Sequence, residues 1–127
     1  MAREKEDSEG TEMIKHKLKK DRFLKARGGF SEFLNIYCSS CQSHVALYQK
    51  DGRGSLLRMY LDRIFEPLSL ANLQESTEKS SLPNLKCTSC DSLIAIPMVY
   101  KLENRLALRL IKGAVFKKKS DGTYPPQ

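Results

Sequence analysis

Two cysteine pairs of identical spacing constrain this 127-residue chain more than any other feature. Cys38 and Cys41 flank two serines, Cys87 and Cys90 flank a threonine and a serine, and residues 42–86 separate the pairs. Two residues between cysteines let one tight turn direct both sulfurs at the same point, so two such turns supply the four corners of a tetrahedron around Zn²⁺. Four thiolates leave no open coordination position, which predicts one structural rather than catalytic ion.

Three other uses of four cysteines compete with this prediction. Two disulfides need an oxidising compartment, whereas residues 1–10 alternate charges and lack the apolar stretch of a secretory signal. A redox pair of the thioredoxin type usually occurs singly near a βαβ pattern, which this chain does not show. An iron–sulfur cluster stays open as an alternative, because sequence alone does not separate it from zinc.

The segments around the two pairs repeat each other. Residues 35–47 align with residues 84–96 at an offset of 49, with six of 13 positions identical. Past the next turn the offset becomes 51, and Arg58 aligns with Arg109. The match predicts two copies of one unit (strand, cysteine turn, strand, turn, strand) that pack as a pseudo-twofold pair. His44 aligns with a leucine, so it is predicted to be an ordinary strand residue rather than a ligand.

At these two turns the chain resembles the zinc-ribbon superfamily, whose domains join two knuckles and their β-hairpins around one zinc ion. The resemblance covers about residues 33–116, although Gln42 and Asp91 stand where that superfamily commonly has glycine. It implies one structural zinc in a β-rich domain. Because zinc ribbons commonly serve in transcription, translation and RNA processing, it also implies a role in binding nucleic acid.

The pattern along the chain predicts a small β-rich, metal-stabilised domain made of duplicated knuckle-plus-hairpin units, with flexible basic tails at both ends. Charged, weakly periodic segments are typical of disordered tails, and polar runs without apolar periodicity are typical of linkers. The predicted parts are a partly disordered or helical arm (1–29), a domain (30–117) with repeat halves (about 33–66 and 82–117) joined by a linker (67–81), and a disordered tail (118–127).

A hairpin is predicted over residues 45–61. Its turn is Lys50-Asp-Gly-Arg-Gly54, in which each glycine can adopt positive φ without a steric penalty. The same glycines resemble a phosphate-contacting loop superficially, but the hairpin turn is the preferred interpretation. Residues 56–61 and 106–111 carry apolar side chains on both faces, so each needs a covering repeat half or a protein partner.

Basic residues favour an anionic partner, with the alternative that they only keep a small protein soluble. Lysines and arginines number 22 against 15 acidic residues, which gives a net charge of +7. This surplus makes nucleic acid, an acidic protein or a membrane surface plausible without choosing among them. The candidate phosphate contacts are Arg58, Arg109, Lys112, Lys117, Lys118 and Lys119. Tyr37, Tyr48 and Tyr60 are candidates for stacking on bases, although strand tyrosines more often pack in the core.

No catalytic constellation is visible, so the chain is predicted not to be an enzyme. His16 lies among lysines and is expected on a solvated face, and nothing pairs Asp62 or Glu66 with a catalytic partner. The leading hypothesis is a zinc module that binds nucleic acid as an accessory or regulatory factor. The alternative is an adaptor, or small subunit of a complex, with an acidic or apolar protein partner. The sequence contains no run of 18 apolar residues, so no transmembrane helix is predicted. A cytoplasmic location, or a nuclear one in a eukaryote, is expected.

Overall fold

A computed structural model describes residues 13–126 of the chain. The described residues form strands and short helices, which in chain order are β1 (Ile14–Lys15), α1 (Arg22–Ala26), β2 (Ser31–Cys38), β3 (His44–Asp51), β4 (Arg58–Tyr60), β5 (Ile64–Glu66), α2 (Leu68–Ala71), β6 (Leu85–Lys86), β7 (Leu93–Tyr100), β8 (Arg105–Leu110), β9 (Val115–Ser120) and β10 (Thr123–Tyr124). Short 3₁₀ segments lie at Leu61–Arg63, Asn72–Glu75 and Lys79–Ser81. The prediction of a small β-rich domain is confirmed.

Two four-stranded antiparallel sheets carry the fold. The first sheet has the order β5-β3-β2-β9, the second has the order β4-β8-β7-β6, and β1 pairs with β10 beside them. Alternate residues of a strand face opposite sides, so one face of β2 presents Leu34, Ile36 and Cys38. These side chains join Met59 and Leu108 of the second sheet in a single hydrophobic cluster. The core therefore draws on both sheets.

The predicted hairpin over residues 45–61 is wrong. Strand β3 pairs with β2 and β5, whereas β4 pairs with β8 in the other sheet, so residues 52–57 cross between the sheets. Gly52 does adopt positive φ, as the turn chemistry requires. Turn residues predict a change of chain direction, but they do not decide which strand becomes the partner. Here β3 is already paired on both edges, and Met59 is fully buried in the core.

The two predicted repeat halves differ in their strand pairing. In the first half β3 pairs with β5, and in the second half β7 pairs with β8. Arg58 and Arg109 nevertheless both lie in strands, directly opposite each other in the β4–β8 pair. The predicted linker 67–81 contains α2 and two of the 3₁₀ segments. Descent of the two halves from one duplicated unit stays a prediction.

The predicted N-terminal arm makes tertiary contacts where it is described; residues 1–12 lie outside the described part. The Asp21 carboxylate caps helix α1 by accepting hydrogen bonds from the amides of Phe23 and Leu24. The expectation of a solvated His16 is wrong, because its Nε2 lies 2.9 Å from Glu66 Oε2. These polar contacts join residues far apart in sequence, which is why local composition does not reveal them.

The prediction of a disordered tail over residues 118–127 is wrong for residues 118–126. Strand β9 pairs with β2 along Phe33–Cys38, and β10 pairs with β1. Gln127 lies outside the described residues. The free edge of β2 supplies backbone partners to a segment that lacks apolar periodicity, and lysines are common on edge strands because they discourage further strand addition. Lys117, Lys118 and Lys119 therefore lie within a strand and not beyond the last one.

Asp21 gives the fold a measurable acid dependence. A hydrogen bond from Arg63 is the main cause that lowers the pKa of Asp21 from 3.8 to about 2. A carboxyl whose pKa is lower in the folded state stabilises the fold above its unfolded pKa, and this contribution is lost as pH falls. Asp21→Asn keeps the helix cap but has no carboxylate to protonate. We therefore expect its melting temperature to fall less than that of wild type as the pH is lowered from about 4 to about 2.

Circular dichroism melts over this pH range measure the difference between the variants. Acid also protonates thiolate ligands, so only the gap between Asp21→Asn and wild type is interpreted. Glu75→Gln serves as the control, because Glu75 is exposed and forms no ion pair among the described residues. Parallel pH curves for wild type and Asp21→Asn would contradict the assignment.

Candidate metal centre

Four cysteine sulfurs lie together where the two cysteine turns meet. Cys38 ends β2, Cys87 follows β6, and Cys41 and Cys90 lie in the turns. The Sγ atoms of Cys38 and Cys90 are 3.7 Å apart, those of Cys41 and Cys87 are 3.5 Å apart, and all four lie within 4.8 Å of one another. A tetrahedron with metal–sulfur bonds of ~2.3 Å has edges of about 3.8 Å. The predicted cluster of four cysteines is confirmed, and its geometry is consistent with zinc.

The sulfurs are free thiols and form no disulfide. Bonded sulfurs lie about 2.05 Å apart, far closer than the separations across the two turns. Within residues 13–126, the cluster of metal-ligating side chains consists of these four cysteines alone. His44 lies in β3 with its Nε2 2.9 Å from Asn35 Oδ1, and burial lowers the pKa of its imidazole.

The two cysteine turns share one backbone geometry. In each turn the first cysteine's amide donates to the carbonyl five residues later, and the amide after the second cysteine donates to the first cysteine's carbonyl. These bonds are Cys38 to Ser43 (2.9 Å), Gln42 to Cys38 (2.8 Å), Cys87 to Ser92 (2.9 Å) and Asp91 to Cys87 (2.8 Å). Gln42 and Asp91 adopt φ of 64° and 65°. This left-handed conformation explains why glycine is common at that position in knuckles of the zinc-ribbon type.

Two serines support the cluster, and sequence reasoning missed them. Hydrogen bonds from the Ser43 hydroxyl and amide lower the pKa of Cys41 to about 6. Ser92 lies at the equivalent position, with its Oγ 3.1 Å from Cys90 Sγ, and its hydrogen bonds lower the pKa of that thiol too. Thiolate is the form that binds metal, so both serines favour the ligand state. The available signal was the shared pattern Cys-x-x-Cys-x-Ser in both segments.

The buried thiol of Cys87 shows the opposite balance. The hydrogen bond from the Cys90 amide lowers the pKa of Cys87, whereas burial and the thiols of Cys41 and Cys90 raise it. The raising effects are the larger, so the pKa of Cys87 lies above that of an ordinary thiol. Several thiolates packed together repel one another and need a cation among them. Because Cys38 ends a strand of the first sheet and Cys87 follows a strand of the second, an ion bound here ties the two sheets together.

The six predicted phosphate contacts fall into separate groups. Arg58 and Arg109 face each other across the β4–β8 pair, and Lys112 is exposed in the turn after β8. Lys117, Lys118 and Lys119 lie exposed in β9, the edge strand of the other sheet. The structure therefore brings the two arginines together and places the three C-terminal lysines on a different sheet.

One face of the second sheet combines arginines with aromatic and apolar side chains. Strand alternation and register place eight paired residues on this side. Two of them, Arg105 and Ala107, are the least exposed, and we call the other six the outer face: Arg58, Tyr60, Ile96, Met98, Tyr100 and Arg109. The Arg58 guanidinium lies 4.6 Å from the centre of the Tyr100 ring and donates to the Tyr60 hydroxyl at 3.1 Å. Tyr100 and both apolar side chains are half-buried, so this face is accessible in part.

Two of the three tyrosines singled out from sequence are buried, and the third already stacks on another ring. Tyr48 is 2% exposed and Tyr60 is 7% exposed, so neither is available to a base. Tyr37 is half-buried and stacks on Phe116 with ring centres 5.2 Å apart. Tyr100, which sequence reasoning did not single out, is the tyrosine of the outer face that remains partly exposed.

Other charged residues near this face are neutralised by partners. Arg27 forms two hydrogen bonds to the Glu103 carboxylate at 2.8 and 2.9 Å, and these bonds are the main cause that lowers the pKa of Glu103. Asp62 accepts from Arg105 at 2.7 Å, so it has a partner that the sequence did not indicate. Within residues 13–126, by contrast, Arg58 and Arg109 form no ion pair with a carboxylate.

Comparisons of this chain with protein-family models, with curated proteins and with solved structures find no match. Residues 13–126 also include no helix that is long and apolar enough to cross a bilayer.

Proposed function

We propose that this chain is a non-catalytic, zinc-stabilised module of the zinc-ribbon type that binds nucleic acid as an accessory or regulatory factor in the cytoplasm or nucleus. The zinc ion is held by Cys38, Cys41, Cys87 and Cys90, and the outer face contacts phosphates. One observation carries the binding proposal: Arg58 and Arg109 lie directly opposite each other with no carboxylate partner in the described part of the chain.

Four observations about the metal support zinc. The sulfurs approximate a tetrahedron, the turns are built alike, two serines favour thiolate, and the site lies between the two sheets. A closed set of four thiolates binds zinc as a structural ion. We include in this proposal that the two halves are copies of one unit, because two copies of one cysteine turn that face each other provide the four ligands of a single zinc ion.

The arginine pair supports an anionic ligand on the outer face. Like charges directly opposite each other on neighbouring strands destabilise a sheet. A phosphate between Arg58 and Arg109 would relieve this repulsion, and the planar guanidinium group matches phosphate geometry. Neighbouring Tyr100 and Met98 offer a half-exposed surface for a base attached to that phosphate. Single-stranded nucleic acid is the polyanion that presents both groups together.

Arg109→Glu tests this surface, because Arg109 is exposed and its loss removes none of the described contacts of the core. We expect the variant to bind single-stranded oligonucleotides roughly tenfold more weakly, with similar losses for unrelated sequences. Its plot of log affinity against log salt should be shallower by about one unit, because one fewer counterion is released. Fluorescence anisotropy at several salt concentrations provides both measurements.

Lys79→Glu is the matched control, because Lys79 is exposed in the 3₁₀ segment before β6 and lies outside the outer face. It should change affinity little. Equal losses for both variants would show that only net charge matters. The absence of oligonucleotide binding by wild type at low salt would reject the proposal.

One observation favours the adaptor alternative as a second candidate. Leu102, in the turn between β7 and β8, is 85% exposed, and Leu57 is also exposed before β4. Large exposed apolar side chains occur at protein contacts. If wild type does not bind oligonucleotides but its mass rises with concentration, and Leu102→Ser abolishes that rise, the adaptor function is preferred.

A further inference from the structure

The crossover between the two sheets lines a cavity of about 350 Å³. Residues 50–58 form one wall, and Arg27 together with the rings of Tyr48 and Tyr60 forms the other. This is the glycine-containing segment that the sequence suggested as a hairpin turn. Because it crosses between sheets instead, its side chains and the start of β4 surround a space, which we call the crossover pocket.

Four cationic side chains line the crossover pocket: Arg27, Lys50, Arg53 and Arg58. The one carboxylate that lines it belongs to Asp51. The Asp51 carboxylate is already engaged, since it accepts from Arg63 at 2.9 Å and from Ser31 and Gln49 at the same distance. Arg27 is neutralised by Glu103. Lys50, Arg53 and Arg58 form no ion pair with a carboxylate among the described residues, and Glu32 is the acidic residue directly opposite Lys50 in the β2–β3 pair.

Lys50 is the most unusual of these three cations. The residue is 6% exposed, and its ammonium donates to the Gly52 carbonyl at 2.8 Å. An ammonium group has three donors, and a buried charge without a paired anion is destabilising. Burial and the positive charge of Lys117 lower the pKa of Lys50, and the carboxylates of Glu32 and Asp51 offset this only in part. An anion in the pocket would supply the missing counter-charge.

The two arginines are held by aromatic rings rather than by acids. The guanidinium of Arg53 lies 3.8 Å from the centre of the Phe30 ring, and that of Arg58 lies over Tyr100. Stacking orients a guanidinium group without using its N–H donors, and Arg58 uses one of them on the Tyr60 hydroxyl, which leaves the others for an anion. At Gly52, with a φ of +83°, a Cβ would lie 3.1 Å from Arg27 Cβ, so this glycine keeps the loop close to the pocket wall.

We propose that the crossover pocket binds a terminal phosphate, that is, a phosphate monoester such as that of a nucleoside 5′-monophosphate or of a 5′-phosphorylated strand. A monoester carries a charge of about −1.5 to −2 at neutral pH, which suits three cations without an ion pair better than the single charge of a phosphodiester does. A terminal phosphate can also reach the buried ammonium of Lys50. A phosphate inside a strand carries a nucleoside on each side, and these two groups hinder its entry into the pocket. The proposal does not require the outer face to bind nucleic acid, because free nucleotides present the same group.

Calorimetric titration of the metal-loaded full chain with adenosine and with adenosine 5′-monophosphate tests this inference. Wild type should bind the monophosphate and not the nucleoside. Lys50→Met should weaken monophosphate binding at least tenfold, whereas Lys79→Met should leave it unchanged. Removal of a buried charge should also keep or raise the melting temperature, so lost binding cannot be attributed to unfolding. Arg53→Gln, at an exposed position, should weaken binding as well.

A second comparison uses one oligonucleotide with a 5′-phosphate or a 5′-hydroxyl end. A preference for the phosphorylated strand that Lys50→Met removes identifies a strand end as the source. A preference for the free monophosphate, again dependent on Lys50, identifies a nucleotide. If neither probe distinguishes Lys50→Met from wild type, the inference is overturned, even if both oligonucleotides bind and Arg109→Glu weakens them.

Discussion

Chelation of the proposed zinc ion is expected to abolish the cooperative thermal unfolding transition of this chain. The cysteine cluster ties a strand of one sheet to a strand of the other, and Cys38 and Cys87 are part of the hydrophobic cluster. Zinc bound by such sites contributes about 10–16 kcal/mol to zinc-finger peptides, whereas a whole domain is stable by about 5–15 kcal/mol. Loss of the proposed ion is therefore expected to remove about as much free energy as stabilises a domain of this kind.

Single variants locate this effect at the ligands. Replacing any one of the four cysteines by alanine should unfold or loosen the domain, as seen in collapsed amide dispersion in a ¹H–¹⁵N spectrum. Ser40→Ala is the matched control, because Ser40 is an exposed residue of the same turn between Cys38 and Cys41. Native dispersion and an unchanged melting temperature after chelation would refute the structural role of the metal.

Arg63→Met is expected to destabilise the fold by about 3–5 kcal/mol, since removal of one partner leaves a buried charge uncompensated. The Arg63 side chain is 1% exposed and binds Asp51, whose carboxylate is 4% exposed, at 2.9 Å. It also binds Asp21 at 2.6 Å, which joins the N-terminal segment to the domain. Urea unfolding of the metal-loaded protein measures the free energy of unfolding.

The double variant Arg63→Met/Asp51→Asn separates the ion pair from packing. If the cost comes from the uncompensated carboxylate, neutralising Asp51 should restore part of the stability lost in Arg63→Met, and the two effects should not add. Additive losses, or a cost below about 1 kcal/mol for Arg63→Met alone, would show that this pair is not a main source of stability.

The cysteine cluster was predictable because the sequence pattern that indicates it is local. Two residues between cysteines determine where a turn directs its sulfurs, and the second pair repeats the first, so Cys38, Cys41, Cys87 and Cys90 follow from spacing. The supporting serines were present in the same aligned segments. They were missed because a hydroxyl two residues after a cysteine cannot be placed next to the sulfur until the geometry of the turn is known.

Strand partners were not predictable to the same degree. The glycines after Lys50 correctly marked a change of direction, but only the occupied edges of β3 determine that the chain leaves for the other sheet. Strand β9 forms because β2 has a free edge, a property of the assembled sheet and not of the lysine-rich segment itself. The same limit applies to Lys50, whose burial depends on the crossover that the hairpin prediction missed.

Metal analysis together with X-ray absorption spectroscopy of protein purified without chelator tests whether the four cysteines hold a structural zinc ion. We expect one zinc per chain, surrounded by four sulfur atoms at about 2.3 Å, with no nitrogen ligand. A metal-free protein whose mass is lower by four hydrogen atoms, as two disulfides require, would contradict this expectation, and so would an iron–sulfur absorption spectrum.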